Sequence, residues 1–235
     1  MKMSRNNKYI KEVLNKIKED VLNIIPFNLN DKNVVIFDFT KKNEELKNID
    51  IVDTERFTDY IFSKLKQNNT PVGIGKYNED RIIYARSPLF KVEGGYRTVH
   101  LGIDIWAKEG TPILAPITGV VHSFKNNSKF GDYGPTIILE HHIENVRFYT
   151  LYGHLNLESI QNLKKWQKFD RGNQIARIGS HLINGSWPPH LHFQIITDMQ
   201  GLEGDFPAVA TIKDRKRFLD LCPDPNLILK IKKLI

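Results

Sequence analysis

From Pro71 onward the chain is cut into short pieces. Seven β-rich runs (Arg81 to Tyr84, Thr111 to Leu114, Gly119 to Phe124, Thr136 to Glu140, Val146 to Tyr152, Gln174 to Ile178 and His190 to Thr197) alternate with clusters of Gly, Pro, Asn and Asp. Parallel strands are usually joined by crossover helices, and strands at this density come without such helices between them. The expectation is therefore a mainly β, mostly antiparallel fold over residues 71–235, with a C-terminal extension and one short helix between Leu157 and Trp166. The first 70 residues read differently. Ile10, Val13, Leu14, Ile17, Val21, Leu22 and Ile25 follow helical spacing over about residues 8–25, closed by Pro26. A strand-like run from Val34 to Phe39 follows, and then a second helix carrying Phe57, Tyr60, Ile61 and Leu65 behind Thr54 as cap. Residues 1–70 thus form a small mixed α+β N-terminal region.

Composition narrows the chemistry. With 40% hydrophobic residues in 235, the chain can bury enough apolar surface to fold. Its single cysteine, Cys222, excludes an internal disulfide and a cysteine-rich metal cluster, so a metal site must draw on carboxylates and the eight histidines. The net charge of +7 gathers only mildly at the two ends, and no basic stripe interleaved with aromatics suggests a nucleic-acid partner. No stretch approaches the ~18 apolar residues of a membrane span. The first 26 residues lack the apolar run of a secretory signal, which predicts a cytoplasmic protein; the alternative is a periplasmic or secreted one, exported by another route or after removal of a leader.

Five polar residues stand out: His100 and Asp104 in HLGID, His154 in YGHL, and His190 and His192 in PHLHF. In a strand, residues i and i+2 share a face about 7 Å apart, so His190 and His192 can serve one ion together, or set one imidazole beside an ion that the other binds. His100 and Asp104 would lie ~13 Å apart in a straight strand. Gly102, free to take a positive φ, could bend the chain between them. Imidazole with one carboxylate suits Zn²⁺, and three protein ligands leave a fourth position for water, as catalysis requires. That leaves two spare histidines to take or give protons, and a neutral imidazole near its ordinary pKa of ~6.5 could do so without a glutamate base.

Four segments, HLGIDIWAKEGTPILAPITGVV from His100, Tyr133 to Leu155 ending in TLYGHL, GNQIARIG from Gly172, and HLHF from His190, resemble in correct order the successive motifs of the M23 family of zinc metallopeptidases, which includes lysostaphin-like and LytM-like enzymes. The resemblance covers about residues 95–200. It implies an antiparallel β-sheet peptidase domain with zinc in a groove, held by His100, Asp104 and His192, with His154 and His190 as catalytic histidines. It also implies hydrolysis of peptide bonds in peptidoglycan crosslinks or glycine-rich peptides. SWPP before the HxH, DFP after it and CPDPNL near the end are similar to the M23-type domain of fusion proteins that carry a class III aminotransferase-like domain. Gln194 stands where the family commonly has Glu, and His181 to Pro189 replaces a shorter turn.

His122, His141, His142 and His181 match no motif and read as surface or turn residues, and Cys222 as a small buried hydrophobe. A degenerate M23-type fold acting as a binding or regulatory module is the alternative function. A cupin-like metal site would need a histidine after His192, and none follows.

Overall fold

A computed structural model of the chain describes residues 5–17 and 21–235. The helices are α1 (Arg5–Lys16), α2 (Thr54–Gln67), α3 (Glu158–Gln161), α4 (Arg215–Leu221) and α5 (Asn226–Leu229). The first seven strands are β1 (Val35–Phe37), β2 (Gly73–Gly75), β3 (Lys91–Val92), β4 (Gly95–Tyr96), β5 (Val99–His100), β6 (Ile103–Trp106) and β7 (Pro112–Leu114). The remainder are β8 (Gly119–Asn127), β9 (Gly134–Ile143), β10 (Val146–Gly153), β11 (Lys168–Phe169), β12 (Gln174–Arg177), β13 (His190–Ile196) and β14 (Val209–Ala210).

Eight strands form one sheet in the order β1-β2-β6-β13-β10-β9-β8-β11. Every pairing in it is antiparallel except β1 with β2 at one edge. That parallel pair needs a crossover, and α2 supplies it. The helix buries Phe57, Ile61 and Leu65, with Glu55 in its first turn and Lys64 and Lys66 in its last, as the macrodipole favours. Its cap is Asp53, which accepts from the amides of Glu55 and Arg56; the expected cap Thr54 instead donates to the Ser186 carbonyl. Through β1 and α2, Phe37, Phe39 and Phe57 pack around Trp106 in the middle of the sheet.

Three expectations about elements need correction. Helix α1 ends at Lys16. Residues 18–20 lie outside the described part, and from Val21 the chain leaves helix because the Leu22 amide bonds to Pro116 and the Ile24 carbonyl accepts from Leu114. Ile10, Val13 and Leu14 are buried as the spacing predicts, with α1 against β10 and α5. The run from Arg81 to Tyr84 is not a strand, since residues Ile82–Arg86 wind into a 3₁₀ turn that buries Ile83, Tyr84 and Arg86 together. Alternation across a pleat would have sent neighbours to opposite faces.

The third correction is His141, which is fully buried, stacked on Phe148 with its Nδ1–H given to the Thr118 carbonyl and Nε2 beside the Thr150 hydroxyl. Burial pushes its pKa down to about 4. Below pH ~6.5 the unfolded chain takes up a proton at this ring that the folded chain refuses until about pH 4, so stability falls as pH drops through that window. Metal-free wild type should lose about 3 kcal/mol more between pH 6.5 and 4 than His141→Gln, measured by thermal melts. Equal losses would contradict this.

Candidate active site

Strand pairing assembles the site. In the β6–β13 ladder Asp104 lies opposite His192 and Trp106 opposite His190, so all four side chains share one face. His100 ends β5, and the chain turns through Leu101 and Gly102 before β6 brings Asp104 alongside. Gly102 does not take a positive φ. Its requirement is space: a Cβ there would sit 2.5 Å from His192 Cε1 and 2.7 Å from the Phe193 carbonyl oxygen. Gly102→Ala should therefore cost about 1–3 kcal/mol and displace His192, readable as a lower Tm. His154 follows the last residue of β10 with φ at 62°, a left-handed conformation that costs a β-carbon residue ~1 kcal/mol or more.

His100 Nε2 lies 3.0 Å from His192 Nδ1 and 3.2 Å from Asp104 Oδ1, and Asp104 Oδ1 lies 3.0 Å from His192 Nδ1. The proton positions follow from the outer partners. His100 Nδ1 faces the Lys76 carbonyl, which can only accept, so the proton is on Nδ1 and Nε2 carries a lone pair. His192 Nε2 faces Gln194 Oε1, and the orientation of that amide is set because its Nε2 donates to the Pro207 carbonyl and to Cys222 Sγ. His192 Nδ1 therefore carries a lone pair too. Three acceptor atoms converge at 3.0–3.2 Å, close to the ~3.3 Å separation of ligands around a tetrahedral zinc with bonds of 2.0–2.1 Å. Such a triangle is repulsive unless a cation fills it. A proton does so poorly: burial, with the Arg81 guanidinium nearby, pushes His100 down to about 3. Burial opposes ionisation of Asp104, but the His100 imidazole and the Arg81 guanidinium outweigh it and hold the carboxyl well below the usual range. The donor set fits a divalent metal.

His154 and His190 lie against each other beside this triangle, with ring centroids 4.1 Å apart and planes tilted by 35°. His154 Nδ1 donates to the Asn184 carbonyl and His190 Nδ1 to that of Pro188, which leaves Nε2 unprotonated in both. His190 Nε2 is 3.9 Å from Asp104 Oδ1. Burial, with His190 adjacent, lowers His154 well below its ordinary pKa, and burial lowers His190 to about 4, so neither stays near 6.5 as expected. His190 packs face to face on Trp106 at 4.1 Å rather than on Trp187. A cavity of about 260 Å³ opens over these groups, walled by Tyr84, Phe90, Tyr133, Trp187 and Phe206.

The structure brings together all five candidate residues, His100, Asp104, His154, His190 and His192. Sequence reasoning missed their supports: the Lys76 carbonyl, Arg81 and Asn184. Asn184 lies in the long His181 to Pro189 turn, whose unusual length was the available signal. Nothing in the local pattern marks Arg81.

Residues 98–203 match the family model for peptidase family M23. Over this stretch the chain is similar to M23 peptidases. Two curated relatives are similar to parts of the chain. An uncharacterized metalloprotease of Haemophilus influenzae is 29% identical over 137 residues, covering 56% of this chain and 27% of that protein. An L-Ala–D-Glu endopeptidase of Bacillus subtilis is 30% identical over 129 residues, covering 53% and 37%. The chain thus spans well under half the length of either relative. A zinc-containing peptidase from Vibrio cholerae aligns at TM-score 0.37 and 28% identity, covering 51% of this chain and 31% of that one. No helix among the described residues is long and apolar enough to cross a membrane.

Proposed function

We propose that this chain is a zinc-dependent endopeptidase, with peptidoglycan crosslinks or glycine-rich peptides as substrates. The observation that carries the reading is the convergence of three lone pairs, from His100, Asp104 and His192, beside two imidazoles whose Nε2 atoms are also unprotonated. Zinc held there would polarise a peptide carbonyl and lower the pKa of a water to about 7. His190 and His154 each offer Nε2 to receive the proton of the attacking water, and the Asn184 and Pro188 carbonyls hold the rings in orientation while they do so. An imidazole that burial keeps neutral becomes a strong acid once protonated, and so a ready donor to the departing amine. The aromatic walls exclude bulk water from the reacting groups.

The name of the Bacillus subtilis relative supports including peptides with an L-Ala–D-Glu bond among the substrates tested. Purified peptidoglycan and pentaglycine peptides digested with zinc-loaded protein should yield new amino termini by mass analysis, absent with His154→Ala. Retention of zinc without cleavage of any substrate would favour the binding-module alternative.

A further inference from the structure

The segment from Lys76 to Arg81 lies before the matched M23 stretch, yet it touches two of the three convergent residues. Arg81 is 1% exposed. Its Nε donates to Glu79 Oε2 at 3.0 Å, Nη1 to Asp104 Oδ2 at 2.5 Å and to the Tyr84 hydroxyl at 3.4 Å, and Nη2 to the Lys76 carbonyl at 2.9 Å. Four of its five N–H donors are thereby committed. The same Lys76 carbonyl takes the Nδ1–H of His100 at 2.9 Å. Glu79 is itself buried and lies 3.0 Å from Lys76 Nζ, while the guanidinium lies against the Phe39 ring at 5.1 Å. Gly75 makes the room, because a Cβ there would fall 2.8 Å from Arg81 Nη2.

A buried arginine is a poor way to gain stability, since its desolvation offsets most of what the ion pairs return. What this one does is geometric. Asp104 has two oxygens: Oδ1 faces the imidazoles and Oδ2 is taken by Arg81. We propose that Arg81 is a positioning residue that makes Asp104 a one-oxygen metal ligand. With Glu79 bracing it and the Lys76 carbonyl orienting His100, the affinity of the M23 site is set in part by a segment outside the family domain. The proposal rests on the metal reading of the site. It places Arg81 behind Asp104, with four of its five donors committed and 1% of its surface exposed.

Zinc dissociation constants, from competition with a chromophoric chelator, and visible spectra of the cobalt-loaded protein test this on the full chain. Arg81→Met should weaken zinc binding 10–100-fold, as loss of an outer partner of a ligand does. Its cobalt spectrum should also lose intensity, as Asp104 becomes free to bind through both oxygens. Arg81→Lys, which can still reach one carboxylate oxygen, should recover part of both. Glu79→Gln keeps the guanidinium while loosening its brace, and should weaken zinc in the same direction by less; it carries the test if Arg81→Met does not fold. Variants that melt lower but bind zinc as tightly as wild type, with unchanged cobalt spectra, would overturn the clamp alone. Wild type that retains no zinc would overturn the clamp together with the reading beneath it.

Discussion

His192→Ala should leave the protein unable to hold zinc through dialysis, with retained metal falling from about one equivalent to under about 0.2 and peptidase activity falling with it. The argument is one of donor number. Removing an outer partner of a ligand costs 10–100-fold in affinity, and removing one of three ligands costs more, because no neighbour can replace it. Gln194 Oε1 is directed at His192 Nε2 on the far side of the ring, and His190, whose Nε2 lies 3.9 Å from Asp104 Oδ1, is held in its present orientation by the Pro188 carbonyl. The fold should survive, since the β6–β13 ladder is made by the backbone and an alanine fits its place. Elemental analysis of reconstituted and dialysed protein reads the result. Occupancy unchanged from wild type would show that the ion sits elsewhere.

His154→Ala should do the opposite, keeping zinc while lowering turnover by 10² or more. His154 makes no contact with the convergent donor atoms through a hydrogen bond; its Nδ1 goes to Asn184 and its ring lies tilted against His190. The loss should appear in kcat rather than in KM, because the imidazole is asked to handle a proton that moves only during reaction. Alanine at a position with φ at 62° also carries backbone strain, so His154→Asn, which tolerates that conformation, is the control for stability. Near-normal turnover in both variants would remove His154 from the chemistry.

The histidines and Asp104 were legible because they sit in compact motifs whose residue types already select a metal. The antiparallel sheet was legible because turn residues punctuate the chain from Pro71. What escaped has a common cause, namely dependence on contacts far along the chain. Arg81 became a buried ion-pair partner only because β2 and β6 are neighbours, and 23 residues of sequence separation hide that. His141 looked like a surface residue because no motif surrounds it, and only the ladder of β9 with β10 places its ring against Phe148. The end of α1 was misplaced because helical spacing continues past Lys16, while the backbone beyond Val21 takes partners from the segment around β7. Local pattern reads periodicity; it does not read which edge of the molecule will offer a better hydrogen bond.

In His100, His154 and His190 the proton is placed by a main-chain carbonyl, which substitution of a side chain does not abolish. His192 alone among the site's four imidazoles depends on a side chain, Gln194. Substitution at 194 therefore reaches an imidazole of this cluster directly, without altering a ligand or a catalytic ring. The hold of His192 on an ion is thus adjustable from residue 194, through the acceptor that fixes its proton on Nε2.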